Sequence, residues 1–393
     1  MTPAARVQAA IELLDAIIDA AQREGAPADR LIADWARSNR YAGSKDRRAV
    51  RELVYSAIRA CGPVPTSGRA AMLRVAQSDP AISACFDGSQ YGPASISDAD
   101  TPADAGIAPD WLMQRLQASG IDVAEAKSLL ERAPLDIRVN ALKADRATLE
   151  LPVPGEHLAA SQAVRLESGT QVEQWPQYRD GQVEVQDHGS QLICEALDVK
   201  PGATIIDLCA GAGGKTLALA AKLENAAQIV ACDTDKRRLG NLAPREKRAG
   251  ASIDHTVLLD PGRELSALTP WLGASDLVLV DAPCSGTGTW RRKPEAKWRL
   301  TPERLERFSK VQDNLLDIAA KLTCPGGRIC FVTCSLLDEE GKDRIDIFLA
   351  RHAGWKPIDL TLPLGRKHGE GWRFTPSQDG TDGFFVAMLG SAC

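Results

Sequence analysis

Residues 207–216 read DLCAGAGGKT, a glycine-rich turn that opens on an acid and closes on Lys-Thr. A phosphate-binding P-loop needs G-x-x-x-x-G-K-[ST], and counting back from Gly214, Lys215 and Thr216 puts Cys209 where the first glycine belongs. A dinucleotide fingerprint G-x-G-x-x-G that starts at Gly211 meets Thr216 where its last glycine is required. Both nucleotide readings fail by one essential residue. What remains is a strand ending in Asp207, a turn through Ala210, Gly211, Ala212 and Gly213, and a helix, suited to a ligand with little or no phosphate.

The sequence around this turn alternates strand and helix. TIIDLCA (204–210), QIVACD (228–233), HTVLLD (255–260), DLVLVDAP (276–283) and RICFVTCS (328–335) are short apolar runs suited to a sheet buried on both faces, with helical segments between most of them. The longest helix is expected from Pro302 to Leu322, with Thr301 as N-cap, and it should stop at CPGG. This is a doubly wound α/β domain, whose ligands lie beyond the carboxyl ends of the strands. Upstream, Ile11, Leu14, Ile18 and Ala21, then Val50, Leu53, Val54, Ala57 and Ile58, recur at helical spacing. The chain is therefore divided into a helical domain with an irregular linker (1–106), a small mixed α/β subdomain (107–183) and the α/β domain (184–393). The linker is the Gly-, Pro-, Ser- and Asp-rich stretch from Cys61 to about Asp104, around one short helix.

Three successive strands end on acids. Helix-start amides and Lys215 can take a carboxylate, Asp233 can take ribose hydroxyls, and Asp260 can accept a hydrogen bond from a purine amine. That ordered set describes an S-adenosylmethionine site better than a nucleotide site. Cys284 in DAPCSGTG (281–288) and Cys334 in TCS (333–335) fall at neighbouring strand ends, beside Asp281. Two cysteines at the ligand edge of a sheet favour chemistry over packing.

Bulk properties bound the reading. The 393 residues are 44% hydrophobic and 25% charged with a formal net charge of -5, ordinary for a globular protein and no global sign of nucleic-acid binding. No apolar run is long enough to span a bilayer, and the expected location is cytoplasmic. The ten cysteines include no C-x-x-C pair, so reduced thiols and no metal site are expected. Charge is uneven: residues 37–59 carry seven basic residues against two acids, and RRKPEAKWR (291–299) carries five against one. Either patch can bind phosphates.

Taken together, DLCAGAGGKT, DAPCSGTG, RRKPEAKW and TCS, with VQDHGSQL (185–192) before the first strand and DGFFVAML (382–389) at the end, closely resemble the RsmB (Sun, Fmu) and Nop/NSUN family of RNA cytosine-5 methyltransferases. The similarity covers roughly residues 107–390. SKDRRAVRELVYSAIR resembles the NusB-like RNA-binding domain of the bacterial RsmB branch, and LDIRVNALK its small substrate-side subdomain. The resemblance implies a Rossmann-like class I core with a mixed, mostly parallel seven-stranded sheet. It implies S-adenosylmethionine as cofactor, held by Asp207, Cys209, Ala210, Gly211, Ala212, Gly213, Gly214, Lys215, Asp233, Arg238, Asp260, Asp281 and Pro283. Where Ala212 stands the family usually has proline, a departure expected to loosen the turn.

By the same resemblance, the thiolate of Cys334 attacks carbon 6 of cytosine, Asp281 stabilises the ring at N3, and Cys284 assists product release. RNA contacts are expected from Arg138, Asn140, Arg291, Arg292, Lys293, Lys297 and Trp298. The substrate implied is 16S ribosomal RNA, with a monomeric protein. The same chemistry on tRNA, and a non-catalytic RNA-binding assembly factor, are the alternatives.

Overall fold

The structure, a computed structural model, describes residues Met1–Ala392. The chain forms two compact units: Met1–Glu131 with Thr289–Pro302, and Arg132–Gly288 with the chain from Glu303 onward. The sequence-based division differs at three places. Residues 107–131 and the basic segment 289–302 belong to the helical unit, and the small subdomain shares a unit with the α/β sheet.

The helical unit is built on Pro3–Gln22, Ala28–Ser38, Ser44–Ala60 and Gly68–Ala76. The first helix starts where a capping residue and a proline coincide: Pro3 is its first residue, and Thr2 Oγ1 accepts from the amide of Ala5 at 3.1 Å. Its apolar stripe (Val7, Ile11, Leu14, Ile17, Ile18) packs with Val50, Val54 and Ile58 of the third helix in one buried core. The stretch after Cys61 does not behave as a linker. Arg69 binds both oxygens of Asp100 at 2.7 and 2.8 Å, the amide of Ala103 donates to Ala70 at 2.9 Å, and Phe86 and Ala103 enter the helical core. Polar composition hid this, because the segment is tied down by hydrogen bonds and needs few apolar residues.

In the second unit, a four-stranded antiparallel sheet has the order β2-β3-β1-β4, with β1 Leu135–Val139, β2 Glu156–His157, β3 Ala163–Leu166 and β4 Val183–Val185. The larger sheet comprises β5 Thr204–Asp207, β6 Gln228–Asp233, β7 His255–Leu258, β8 Ser275–Asp281, β9 Thr323–Thr333, β10 Trp355–Ile358, β11 Arg366–His368, β12 Gly371–Phe374 and β13 Phe384–Ser391. Its order is β11-β12-β13-β9-β8-β5-β6-β7, with β10 also paired to β13. β9, β8, β5, β6 and β7 are parallel, and β13 runs antiparallel to β9.

The sheet thus has nine strands instead of the expected seven. The excess is the short β11–β12 hairpin, whose Arg-Lys-His edge carries no apolar strand pattern. The helix Pro302–Leu322 ends as expected, but CPGG continues as strand, so β9 begins at Thr323.

Both faces of β5, β6, β8 and β9 are buried, whereas β7, expected to be buried on both faces, lies at the sheet edge with His255, Thr256 and Leu258 exposed. Ile205, Leu277, Leu279, Cys330 and Val332 pack on one side, and Ile206, Val278, Val280, Ile329 and Phe331 on the other. Alternation with a period of two sends successive side chains to opposite cores. Strand order reverses between β5 and β8, so a crevice opens at their carboxyl ends.

Candidate active site

The turn after β5 is shaped by its glycines. Gly211 and Gly213 take φ values of 56° and 85°, a region that β-carbons disfavour. A β-carbon on Gly213 would also lie 2.2 Å from Leu242 Cδ1. Four ties hold the turn without proline at position 212. Gly211 donates to Asp233 Oδ2 at 2.7 Å, Ala210 to the carbonyl of Cys232 at 2.8 Å and Gly213 to that of Ala210 at 2.8 Å, while Arg245 Nη1 donates to the carbonyl of Ala212 at 2.7 Å.

The helix Gly214–Lys222 follows, and the amides of its first turn have no acceptor within it. Nothing lies within 4 Å of where a β-carbon on Gly214 would sit, so the backbone there is open to a ligand. Asp233 at the end of β6 takes one amide on each oxygen, from Gly211 and from Asp235, both at 2.7 Å. Asp207 is buried, receives the hydroxyl of Thr216 at 2.6 Å, and burial pushes its carboxyl up to about 7. Its role is to pin the helix start. The Arg238 guanidinium packs beside Gly211. Asp260 is exposed two residues past β7, and Cys209 is a packed thiol that burial pushes well above its ordinary range. These residues fit a methionine-type cofactor: open helix-start amides for a carboxylate, and a carboxylate at the second strand end for a ribose.

Lys215 does not project to the cofactor side alone. Its ammonium donates to Asp281 Oδ2 at 2.6 Å and sits 5.9 Å from the centre of the Phe384 ring. Burial disfavours its charge, but Asp281 more than compensates, and the group is held as an ammonium above its ordinary range. It also acts electrostatically on Cys334.

The two cysteines at the ends of β8 and β9 meet. Cys284 Sγ and Cys334 Sγ are 3.3 Å apart, both thiols half-buried. The loops carrying them are cross-braced: Gly288 donates to the carbonyl of Cys334 at 3.0 Å, Thr287 and Ser335 hydroxyls are 3.1 Å apart, and Leu336 donates to Thr287 Oγ1 at 2.9 Å. The hydrogen bond with Cys334, and then burial, raise Cys284 well above the ordinary thiol range. Beneath them lies Glu340, which the sequence does not distinguish from Glu339; only the fold buries one of the two.

Four of the expected RNA contacts are placed otherwise. Lys297 is fully buried in the helical unit and donates to the carbonyl of Ile107 at 2.9 Å; burial pulls its ammonium down to about 7. Trp298 enters the helical core with Nε1 on the carbonyl of Gly62 at 3.3 Å. Arg138 is buried and donates to Gln186 Oε1 at 2.8 Å, and Asn140 Nδ2 serves the carbonyls of Gly181 and Ala249 at 2.8 and 2.7 Å. Asn140 binds the small sheet to the larger domain through Ala249, and Arg138 ties β1 to the residue that follows β4. These four side chains are joints of the fold, because basic and aromatic residues with long stems fill gaps as readily as they face solvent. Arg291, Arg292 and Lys293 lie in the turn that leads into this segment; Arg291 is buried as well, Arg292 is partly buried and Lys293 is exposed.

A methyltransferase of the S-adenosylmethionine-dependent fold is what this sheet order and glycine turn define. Among solved structures, PH0851 matches with a TM-score of 0.76 at 24% identity over 99% of both chains. NSun6 from Pyrococcus horikoshii, solved with the cofactor analogue SFG, matches with a TM-score of 0.63 at 20% identity over 72% of this chain and 98% of that one. The family described as 16S rRNA methyltransferase RsmB/F matches residues 194–390. Ribosomal RNA small subunit methyltransferase B of Xanthomonas campestris pv. campestris is 33% identical over 295 residues, 73% of this chain and 67% of the relative. The probable counterpart in Bacillus subtilis (strain 168) is 31% identical over 72% of this chain and 66% of its own. The chain belongs to the RsmB/F methyltransferase family, and the matched stretches span about two thirds of those relatives' length. No helix among the described residues is long and apolar enough to cross a membrane, and no group of side chains among them could hold a metal ion.

Proposed function

We propose that the protein transfers a methyl group from S-adenosylmethionine to carbon 5 of a cytosine in ribosomal RNA, 16S by the family's description, through a covalent cysteine adduct. The observation that carries this reading is the pair of thiols 3.3 Å apart at the ends of β8 and β9, next to the Lys215–Asp281 ion pair. A metabolite methyltransferase has no use for that pair.

Carbon 5 of cytosine is a weak nucleophile, and adding a thiolate at carbon 6 makes it an enamine carbon. Cys334 forms that bond, favoured by the Lys215 ammonium. As Cys334 adds, N3 takes up a proton, so that no net negative charge is left on the ring, and Asp281, half-exposed and oriented by Lys215, accepts the hydrogen bond from that N3–H. When bound, S-adenosylmethionine supplies the electrophilic methyl group; Asp233 and the Gly211–Lys215 turn hold it. Loss of the carbon 5 proton then expels Cys334, and Cys284, held as a neutral thiol, assists the departure of that sulfur. The target base must leave its stack to reach two half-buried thiols, which favours single-stranded RNA.

RNA recruitment falls to the helical unit, read here as NusB-like. Arg40, Lys45 and Arg48 are exposed there, and Asp46, one of the two acids of that stretch, is engaged by Arg6 at 2.8 Å. The test is Cys284→Ala expressed in cells. Covalent protein–RNA adducts should accumulate on denaturing gels and vanish when Cys334→Ala is added, and sequencing the trapped RNA identifies the substrate. Trapped tRNA would replace the ribosomal assignment; no adduct and no methyl transfer by the wild-type protein would leave an RNA-binding assembly factor.

A further inference from the structure

Glu340 lies in the short helical turn Asp338–Glu340 after β9, wholly buried. No lysine, arginine or histidine pairs with it among the described residues; all its partners are neutral. Oε1 accepts from the amide of Ser285 at 2.8 Å and from Gln312 Nε2 at 3.3 Å, and Oε2 accepts from the Ser285 hydroxyl. Its main-chain carbonyl accepts from Thr333 Oγ1 at 3.1 Å. Gln312 Nε2 also donates to the carbonyl of Pro283 at 2.9 Å, and the hydroxyls of Ser285 and Ser335 are 3.2 Å apart.

One residue therefore joins three segments: its side chain holds the loop 283–285 that carries Cys284 and the helix Pro302–Leu322, and its main-chain carbonyl holds the strand end 333–335 that carries Cys334. Burial raises the Glu340 carboxyl above its ordinary range, and the hydrogen bonds from Ser285, Ser335 and Gln312 work against that rise and favour the carboxylate. Its partners flank both cysteines and touch neither sulfur, which is the geometry of a support. The titratable groups that bear on Cys284 are Cys334 and Glu340, and both raise its thiol; Lys215 bears on Cys334 and is paired to Asp281.

We propose that Glu340 is the positioning residue of the cysteine pair: its carboxylate fixes the Cys284 loop against β9 and keeps Cys284 a neutral thiol beside Cys334. This rests on the roles given to the two cysteines above. It divides their labour by charge, because a negative group held against the Cys284 loop disfavours a second thiolate there.

The test uses the full chain with Glu340→Gln and Glu340→Ala. Steady-state methyl transfer, thermal melting, and cysteine-by-cysteine alkylation with iodoacetamide followed by mass spectrometry are measured on each. Glu340→Ala should lower kcat by at least about tenfold, the scale of a misplaced reacting group, while KM for RNA and for S-adenosylmethionine changes less than about threefold. Glu340→Gln, whose amide oxygen still accepts from Ser285, should retain more of kcat. In Glu340→Gln, Cys284 should be alkylated about tenfold faster than in the wild type at about pH 8, as loss of the charge frees its thiolate. If Glu340→Ala does not fold, the glutamine variant and its alkylation rate decide alone. Unchanged kcat together with unchanged Cys284 alkylation would overturn the proposal. A wild-type protein that transfers no methyl group defeats the functional reading instead, and the alkylation comparison still reports on Glu340.

Discussion

The thiols of Cys284 and Cys334 stand half-buried at a sheet edge, braced by neutral hydrogen bonds and near an ion pair, whereas Lys297 and Trp298 lie sealed in the helical unit. Both pairs sit in motif-like stretches of polar sequence. In the first, both sulfur atoms stay partly exposed and touch each other. In the second, each polar atom is already spent on a backbone carbonyl, Ile107 for Lys297 and Gly62 for Trp298. A basic or aromatic residue is available to a ligand only if the fold leaves its polar end without a partner.

The contrast can be broken most sharply at Cys334. Cys334→Ala should reduce methyl transfer by about a thousandfold or more, the scale of losing a covalent nucleophile, with melting temperature nearly unchanged. Retained turnover would move chemistry away from the pair.

Lys297 should respond to pH through stability. Its folded-state value of about 7 lies below the ordinary 10.5, so between those two the unfolded chain holds a proton that the folded chain lacks. Stability should therefore climb as pH rises from about 7 to 10, by up to about 1.4 kcal/mol per unit, while below about pH 7 the full burial penalty applies. Lys297→Met should abolish that slope in urea unfolding curves; a slope unchanged in the variant would show that Lys297 is not the titrating group.

Asn140→Ala should cost about 1–3 kcal/mol of stability, the usual price of orphaning buried carbonyls, and leave the salt dependence of RNA binding as in the wild type. A flatter salt dependence would return Asn140 to the RNA surface. The smallest effect belongs to the exposed cations: Arg48→Gln should lower the slope of log affinity against log salt by about one phosphate contact.

Much of the catalytic unit was legible from short-range pattern. The apolar runs that became β5, β6, β8 and β9 alternate between two cores, and near-continuous apolar strands of that kind have no other soluble use than a sheet covered on both faces; β7, at the edge, is the run that pattern misjudged. The cysteine pair was legible because strand ends are fixed by those runs, and ends of adjacent parallel strands are neighbours. The boundaries of the units were not. Residues 61–104 look like linker because their ties are hydrogen bonds of polar side chains, as with Arg69 on Asp100 and on the carbonyls of Ala94 and Ser95, and hydropathy does not register such bonds. The chain also leaves the helical unit and returns to it at Thr289–Pro302, a discontinuity that no local pattern announces.

What the sequence determined by itself is the glycine turn, the acids Asp207 and Asp233 at successive strand ends, and the two cysteines, because each depends on backbone conformation or strand register within a few residues. Only the tertiary structure decided that Lys215 pairs with Asp281, that Glu340 and not Glu339 underlies the cysteines, and that Arg138, Asn140, Lys297 and Trp298 are joints of the fold. Those outcomes turn on burial and on partners supplied from distant parts of the chain, and both exist only once the chain has closed on itself.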